Sequence, residues 1–422
     1  MKVVIMAGGK GTRIASVNSE VPKPMIDVDG KPILEHQMRC LASQGFTDLI
    51  LVIGYKGKVI EDYFENGQKF GVQIEYIKED TPLGTAGALY YLKNKIQEDF
   101  FLINGDIIFD INLGRFYEYH KKKNSVATIF THPNSHPYDS GVIVADNSGK
   151  VIKWMTKEEE RTWYKNCVNA GIHILSPKVF DKFEVLEKKD LDRDILKKLI
   201  LEEQLYIYQS PEYVKDMGTP DRFYAVQEDI RTGLVAAKNL NRKQKAIFLD
   251  RDGTINKYVG FLRNIEEMEL LDGVKEAIGK INASGYLAIV VTNQPVIARG
   301  EVTYQELEII HHKMETLLGN EGVYVDDIFY CPHHPHKGYE GEVKELKISC
   351  ECRKPRPGML LQAAEKYNID LANSWMIGDS ESDIMAGQEA GCKVAYIGET
   401  LDVAIPNYSS LLECINEILE KH

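Results

Sequence analysis

Val3-Val4-Ile5-Met6-Ala7 runs directly into Gly8-Gly9-Lys10-Gly11-Thr12-Arg13, and much further along Ala246-Ile247-Phe248-Leu249 runs into Asp250-Arg251-Asp252-Gly253-Thr254. Each is a short apolar run closed by a cluster of chemically active residues. A continuous apolar run of this length reads as a parallel strand buried on both faces, and α/β enzymes set their chemistry at the C-terminal ends of such strands. Runs of the same kind lie at 49–53, 74–77, 100–103, 127–130 and 171–175, then at 288–292, 327–331, 374–377 and 393–397. Helical periodicity alternates with most of them, as at 33–44 and 358–367. The alternation predicts an α/β protein of two doubly wound domains. The polar stretch from Ala237 to Gln244 sets a first domain over 1–234, a linker over 235–244 and a second domain over 245–422. In the tail, Leu411, Leu412, Ile415, Ile418 and Leu419 share one face of a closing helix. No internal repeat or low-complexity tract interrupts this pattern.

The chain of 422 residues has room for two or three domains at roughly 100–200 residues each. With 44% hydrophobic and 27% charged residues it has the composition of a soluble globular protein. A net charge of -12 argues against a nucleic-acid partner, which needs a basic face to displace counterions. It does not argue against anionic substrates, which local cations and backbone amides hold whatever the global sign. No apolar run reaches the length of a membrane span, and the apolar N-terminal stretch is too short for a secretory segment, so a cytoplasmic protein without a membrane partner is expected. Of seven cysteines, Cys40, Cys167, Cys392 and Cys414 are scattered while Cys331, Cys350 and Cys352 lie close together. An odd count argues against a disulfide framework, and the close set points to a metal.

Glycines at the first strand end let the backbone wrap a polyphosphate, and Arg13 suits the charge that builds on a leaving pyrophosphate. Alone, the loop also fits a tight strand–helix turn, and it lacks the Walker A ending and the dinucleotide-binding spacing. Val21-Pro22-Lys23-Pro24-Met25 follows, with Lys23 stiffened between two prolines. Together, Gly-Gly-x-Gly-Thr-Arg and Pro-Lys-Pro resemble the signature of the nucleoside-diphosphate-sugar pyrophosphorylases. Pro82-Leu83-Gly84-Thr85-Ala86-Gly87-Ala88 is similar to that family's nucleotide-base loop, and Asn169-Ala170-Gly171 to its sugar-contacting strand. Asn104-Gly105-Asp106 and Asp216-Met217-Gly218-Thr219-Pro220 are similar to its two metal-binding aspartate segments, although Asp106 alone also suits a strand-end cap. The resemblance implies nucleotide binding by Gly8, Gly9, Gly11, Thr12, Gly84 and Thr85. It implies sugar contact by Asn169, a grip on the sugar phosphate by Lys23 and on pyrophosphate by Arg13, and Mg2+ held by Asp106 and Asp216. Where the family often carries Glu-Lys-Pro, this chain has Trp154-Met155-Thr156-Lys157-Glu158, and Lys157 stands in for that lysine.

At the second strand end, Asp250 and Asp252 place two carboxylates two residues apart. One can attack phosphorus and the other can carry a proton, although Asp-x-Asp also occurs in calcium loops and turns. Thr292-Asn293 closes another strand, Lys354 directly precedes a helix in Arg353-Lys354-Pro355-Arg356-Pro357-Gly358, and Gly378-Asp379 closes a third strand ahead of Asp383. This ordered set resembles the haloacid dehalogenase superfamily. The resemblance implies that Asp250 is the nucleophile, that Asp252 is the acid and base, and that Thr292 and Lys354 hold the phosphoryl group. It also implies Mg2+ on Asp250, Asp379 and the backbone carbonyl of Asp252, with Asp383 either a ligand or a support. Cys331-Pro-His333 and Cys350-Glu-Cys352 supply three thiolates and an imidazole, a closed tetrahedral Zn2+ set, against the plainer alternative of unligated thiols. The set resembles the structural zinc loop of the bacterial heptose bisphosphate phosphatase and histidinol phosphatase group. His334 and His336 then read as loop residues, with His334 open as an alternative ligand. Pro295-Val296 departs from the Ser-Gly pair usual in that group.

These resemblances imply a bifunctional enzyme. The phosphatase group includes an enzyme that removes the 7-phosphate of a heptose 1,7-bisphosphate, and the product is the sugar 1-phosphate that the first family consumes. The first domain looks most like the mannose-1-phosphate and heptose-1-phosphate guanylyltransferases. That implies GTP as the favoured triphosphate and GDP-D-glycero-α-D-manno-heptose as product, the α anomer resting on this resemblance alone. Asn293 is implied as a substrate contact, and Arg299 and Arg353 are candidates to grip the anomeric phosphate bidentately. The rival readings are the same two reactions on another sugar or nucleotide, and a catalytically dead regulatory protein. The latter predicts broken motifs, whereas Asp106, Asp216, Asp250, Asp252 and Asp379 are all in place. The oligomeric state is open, a homo-oligomer included.

Overall fold

The computed structural model describes residues 1–9, 20–338, 340–399 and 404–420. Two compact units emerge. Unit 1 takes Met1–His132, Ile143–Met155 and Asn169–Asn239, and unit 2 takes Pro133–Val142, Thr156–Val168 and Leu240–His422. Among the described residues no helix is long and apolar enough to cross a membrane, and none of the seven cysteines is in a disulfide.

Unit 1 is built on parallel strands β1 (Val3–Met6), β2 (Asp48–Ile53), β3 (Gln73–Lys78) and β4 (Phe100–Asn104). They lie in the order β3-β2-β1-β4, so the first apolar run is central and buried on both faces. Helix α1 (Ile33–Ser43) covers one face with Leu34, Met38 and Leu41, which pack against Val3, Ile5, Leu49 and Phe101. Burial of such side chains contributes roughly 1.5–3 kcal/mol each. A separate antiparallel pair, β5 (Ile107–Asp110) with β11 (Tyr213–Asp216), sets Ile107 opposite Asp216. Between them in sequence run β6 (Ala127–His132), β7 (Val142–Ala145), β8 (Val151–Met155), β9 (Val168–Leu175) and β10 (Leu205–Gln209). Strand β9 pairs antiparallel with β4 and extends the sheet beyond its parallel core.

Unit 2 carries a parallel sheet in the order β14-β13-β12-β15-β16-β17, formed by β12 (Lys245–Leu249), β13 (Tyr286–Asn293), β14 (Asp327–Cys331), β15 (Trp375–Gly378), β16 (Lys393–Ile397) and β17 (Asn407–Tyr408). Alternate residues of its central strands feed two cores. Ile247, Leu249 and Val290 pack with Ile278, Ile281, Ile415 and Ile418, while Phe248, Leu287 and Ile289 pack with Met359, Leu360 and Tyr367. The period-two division is what a strand covered on both faces requires. The expected closing helix is present at Leu411–Glu420, with Leu411, Ile415 and Ile418 buried.

The two early segments of unit 2 dock on its helix at Tyr304–Asn320. Thr316 Oγ1 accepts from the Tyr164 N–H at 3.0 Å and donates to the Tyr164 carbonyl at 3.2 Å, and the Asn166 N–H donates to Glu315 at 3.3 Å. Pro137 lies so close to Gly319 that a Cβ there would stand 2.6 Å from its ring. A chain starting at residue 240 would uncover this helix face and leave the Glu315 carboxylate, pushed up to about 7 by burial and opposed by Lys165, without its cation. Such a truncation is expected to lose about 2–4 kcal/mol of stability, as expected for exposed packing and broken buried hydrogen bonds. Thermal denaturation checks it: an unfolding transition at the temperature shown by unit 2 of the full chain would refute the expectation.

Candidate active sites

Unit 1 contains a cavity of about 700 Å³ at the C-terminal ends of β1, β2 and β4, lined by Gly8, Gly9, Lys23, Gly84, Thr85 and Asp106, with Glu79 and Tyr55 beside them. Lys23 is buried and its ammonium lies 2.6 Å from Asp106. Asp106 follows β4, and its carbonyl accepts from the Met217 N–H at 3.2 Å, so the backbones carrying the two expected metal aspartates run side by side. Asp216 itself accepts from the Gly218 N–H at 2.8 Å and from Arg222 at 3.0 Å. Gly84 is at φ +79°, and a Cβ there would stand 2.4 Å from the Lys189 carbonyl, so this turn demands glycine. Thr85 Oγ1 donates to Asp190 and accepts from the Leu191 N–H at 2.7 Å, anchoring the loop from behind. Asn169 accepts from the Gly171 N–H at 2.9 Å and reaches Asp192 at 3.4 Å. Lys157 is exposed, in a segment that belongs to unit 2, and is not among the cavity's lining residues. Gly11, Thr12 and Arg13 lie outside the described residues.

Unit 2 gathers its charged residues at the C-terminal ends of β12, β13 and β15. Buried Lys354 contacts Asp250 at 2.5 Å, Asp383 at 2.6 Å and the Val291 carbonyl at 2.8 Å. Oxygens of Asp250, Asp379 and Asp383 lie within 4.8 Å of one another. Three carboxylates facing one ammonium leave a surplus of negative charge that suits a divalent cation. Burial pushes the Asp250 carboxyl up while Lys354 opposes it, and burial with Asp383 nearby pushes Asp379 up to about 6. Gly253, at φ +88°, leaves room for Asp379, whose Oδ2 would stand 1.9 Å from a Cβ.

The Asp252 side chain points into a different network. It accepts from Arg251 at 2.7 Å, from Asn256 at 3.0 Å and from Gln294 at 2.8 Å. Arg251 is fully buried and its other arm meets His311 Nε2 at 3.2 Å; burial and the guanidinium hold His311 well below its usual range, leaving a neutral ring that accepts this bond. Thr292 is buried and bonded to Gln294 at 2.9 Å. Asn293 exchanges two 3.0 Å bonds with the backbone of Lys354, so its amide is committed to fixing that residue. Arg299 pairs with Glu301 at 2.7 Å over the Phe261 ring, and Arg353 donates to the His333 carbonyl at 3.1 Å.

Cys331, His333, Cys350 and Cys352 converge, with neighbouring ligand atoms 3.2–3.6 Å apart. Thiolates about 2.3 Å from a tetrahedral zinc would stand about 3.8 Å apart, so the set fits that ion with slight expansion. His334 is bonded within its own loop, to the His336 N–H at 3.2 Å.

Several supports were not singled out from the sequence. Gln37 donates from helix α1 to the carbonyls of Asn104 and Ile107, at 2.9 and 2.8 Å, and so shapes the turn that carries Asp106. Arg251 stands inside the quoted Asp-x-Asp motif, and Gln294 directly follows Thr292-Asn293, but nothing local marks either as a brace for Asp252.

Comparison with known proteins agrees with this geometry. The Nucleotidyl transferase family matches residues 2–233, and the HAD-hydrolase-like family matches 351–399. The D-glycero-beta-D-manno-heptose-1,7-bisphosphate 7-phosphatase of Salmonella typhi is 44% identical over 35% of this chain and 78% of its own length. The chain belongs to the nucleotidyl transferase family and, through its second half, to the haloacid dehalogenase-like phosphatases. It is a bifunctional enzyme. Among relatives of the transferase family, the mannose-1-phosphate guanyltransferase of Yarrowia lipolytica is 35% identical over 53% of this chain and 62% of its own length. The crystal structure of HddC from Yersinia pseudotuberculosis is 29% identical, with a TM-score of 0.49 over 54% of this chain and 99% of that one.

Proposed function

We propose that this enzyme removes the 7-phosphate of D-glycero-D-manno-heptose 1,7-bisphosphate and then joins the heptose 1-phosphate to the guanylyl group of GTP, releasing pyrophosphate and GDP-heptose. One observation carries this reading: a nucleotidyltransferase shares a chain with a phosphatase whose curated relatives are named for position 7 of a heptose 1,7-bisphosphate. The phosphate such an enzyme spares is anomeric, and an anomeric phosphate is what sugar nucleotidyl transfer consumes. The likeness to a mannose-1-phosphate guanyltransferase favours GTP.

In the phosphatase step Asp250 attacks the distal phosphorus and the bond to the sugar oxygen breaks. Asp252 gives its proton to that oxygen, then takes one from the water that cleaves the aspartyl-phosphate. Arg251, Asn256 and Gln294 aim Asp252, Thr292 and Lys354 bind the phosphoryl oxygens, and Asn293 fixes Lys354. Arg353 and Arg299 are proposed to hold the anomeric phosphate. Mg2+ would be held by Asp250, Asp379 and the backbone carbonyl of Asp252, and would offset the charge on the phosphoryl group. In the transferase step an oxygen of the sugar phosphate attacks the α-phosphorus and pyrophosphate leaves. Lys23 holds the sugar phosphate, and Asp106 and Asp216 would hold Mg2+ against the repulsion between the two anions. Zn2+ on the Cys331, His333, Cys350 and Cys352 set is proposed as structural.

The α anomer was expected from the guanylyltransferase likeness, while the phosphatase relatives are named for the β anomer. A second reading, phosphatase action on the β bisphosphate, therefore stands beside the first. The test offers both anomers with each of GTP, ATP, UTP and CTP, scores phosphate and pyrophosphate separately, and identifies the nucleotide sugar by mass. GDP-heptose from the α bisphosphate is expected. A nucleotide hexose with no heptose turnover would overturn the substrate, and an ADP-heptose from the β anomer alone would establish the second reading instead.

A further inference from the structure

Arg251 is fully buried, where an arginine is seldom found, and its N–H donors point in two directions. Towards Asp252, Nε donates at 3.2 Å and Nη2 at 2.9 and 2.7 Å. On the other side Nη1 donates to His311 Nε2 at 3.2 Å. His311 comes from the helix at Tyr304–Asn320, directly after Ile310, whose side chain shares a core with Val290 of β13. Its ring is buried and lies 5.6 Å from the ring of Tyr330 on β14. The imidazole is therefore held by elements that do not carry Asp252. A buried charged donor without an acceptor is costly, so the Nη1 bond constrains the guanidinium.

The acceptor is neutral. Burial and the guanidinium hold the His311 imidazole well below its usual range, so Nε2 keeps its lone pair. A carboxylate at this place would compete with Asp252 for the same cation, whereas an imidazole leaves the charge of Arg251 to Asp252. The guanidinium is planar, so fixing Nη1 at one end fixes the direction of Nε and Nη2 at the other. Gln294 and Asn256 each add a bond from a side-chain amide to Asp252, at 2.8 and 3.0 Å, but neither sets that plane. We propose that His311 is a positioning residue of the phosphatase: its Nε2 sets the plane of Arg251 and thereby the aim of the Asp252 carboxyl at the leaving sugar oxygen. The inference rests on the phosphatase mechanism above, in which Asp252 gives and takes the proton.

The test uses the full chain with the heptose 1,7-bisphosphate and, as a second probe, para-nitrophenyl phosphate. His311→Leu removes the acceptor and keeps a similar bulk. It is expected to lower kcat for the bisphosphate about 10–100-fold, a part of what general acid–base catalysis supplies, with KM little changed because Asp252 acts on the transition state. His311→Gln, whose carboxamide oxygen is again a neutral acceptor, should recover most of the rate. The aryl ester separates positioning from general damage. Nitrophenolate leaves with the electron pair of the broken P–O bond and needs no proton, whereas hydrolysis of the aspartyl-phosphate needs Asp252 to take one from water. His311→Leu should therefore give a rapid stoichiometric burst of nitrophenolate followed by slow turnover, with phosphorylated enzyme accumulating. A parental kcat in His311→Leu would overturn the proposal. So would loss of the burst in step with turnover, or a His311→Gln variant as slow as His311→Leu. Hydrolysis of the ester but not of the bisphosphate by the unaltered chain would remove the heptose reading and leave His311 to be judged on the ester. Phosphate release from neither would remove the phosphatase mechanism and this inference together.

Discussion

Asp250→Asn is expected to abolish phosphate release, by at least about 10⁴-fold as for loss of a catalytic nucleophile, while nucleotidyl transfer continues; Asp106→Ala is expected to do the reverse. The argument is one of charge and of location. A carboxamide fills the space of Asp250 but does not attack phosphorus, and Lys354 keeps its 2.6 Å contact with Asp383, so no buried ammonium is stranded. The fold should therefore tolerate the change. Asp106→Ala removes one expected metal ligand and the carboxylate 2.6 Å from Lys23, both residues belonging to unit 1. Each unit carries its own carboxylates and its own lysine, and no residue is common to the two sites. Phosphate and pyrophosphate are measured on the same preparations, with circular dichroism to confirm folding. Loss of both activities from either single change in a folded protein would refute two independent sites.

What could be read from the sequence and what could not divides along the range of the interaction. The strand carrying Val3-Val4-Ile5 and the strand carrying Ile247-Phe248-Leu249 announce themselves because a strand buried on both faces is apolar throughout. The chemical groups at their ends follow a local order in the chain, so the residues that meet at Lys354 were all named beforehand. Tyr213–Asp216 was not recognised as a strand, since it is four residues long and half polar, and its partner Ile107–Asp110 is remote in sequence. Arg251 is the sharper case. Arginine is normally exposed, so its complete burial against Asp252 and His311 has no signature in the motif that contains it. Asn293 was expected to touch substrate. Its two bonds to the Lys354 backbone depend on a loop some sixty residues away, which local patterning does not reveal. The same holds for Thr156–Val168, whose attachment to the helix at Tyr304–Asn320 rests on tertiary contacts alone.

Cys352→Ser is expected to remove one bound zinc per chain, to unfold the loop ahead of Lys354, and to reduce phosphate release about 10–100-fold with it, the usual cost of disturbing a group that orients a catalytic residue. Cys331 and His333 come directly off β14, whereas Cys350 and Cys352 belong to the return of the loop, immediately before Arg353-Lys354. An ion bridging the four would tie the end of a rigid strand to the residue whose ammonium must lie between Asp250 and Asp383. Among the described residues, this junction is also bridged by the Arg353 bond to the His333 carbonyl and the His334 N–H bond to the Leu346 carbonyl, each 3.1 Å, and Lys354 itself is held by its two 3.0 Å bonds with Asn293. Serine keeps the volume of cysteine but is a poor zinc ligand, so the variant separates loss of the ion from loss of packing. Metal analysis of protein purified without chelators, hydrogen exchange over 331–354 and phosphate release are the three readouts. Nucleotidyl transfer, which uses none of these residues, should persist. Full zinc content in the variant would exclude Cys352 as a ligand. An active parent protein that contains no zinc would show instead that sulfur–sulfur and sulfur–imidazole packing is enough to hold Lys354 in place.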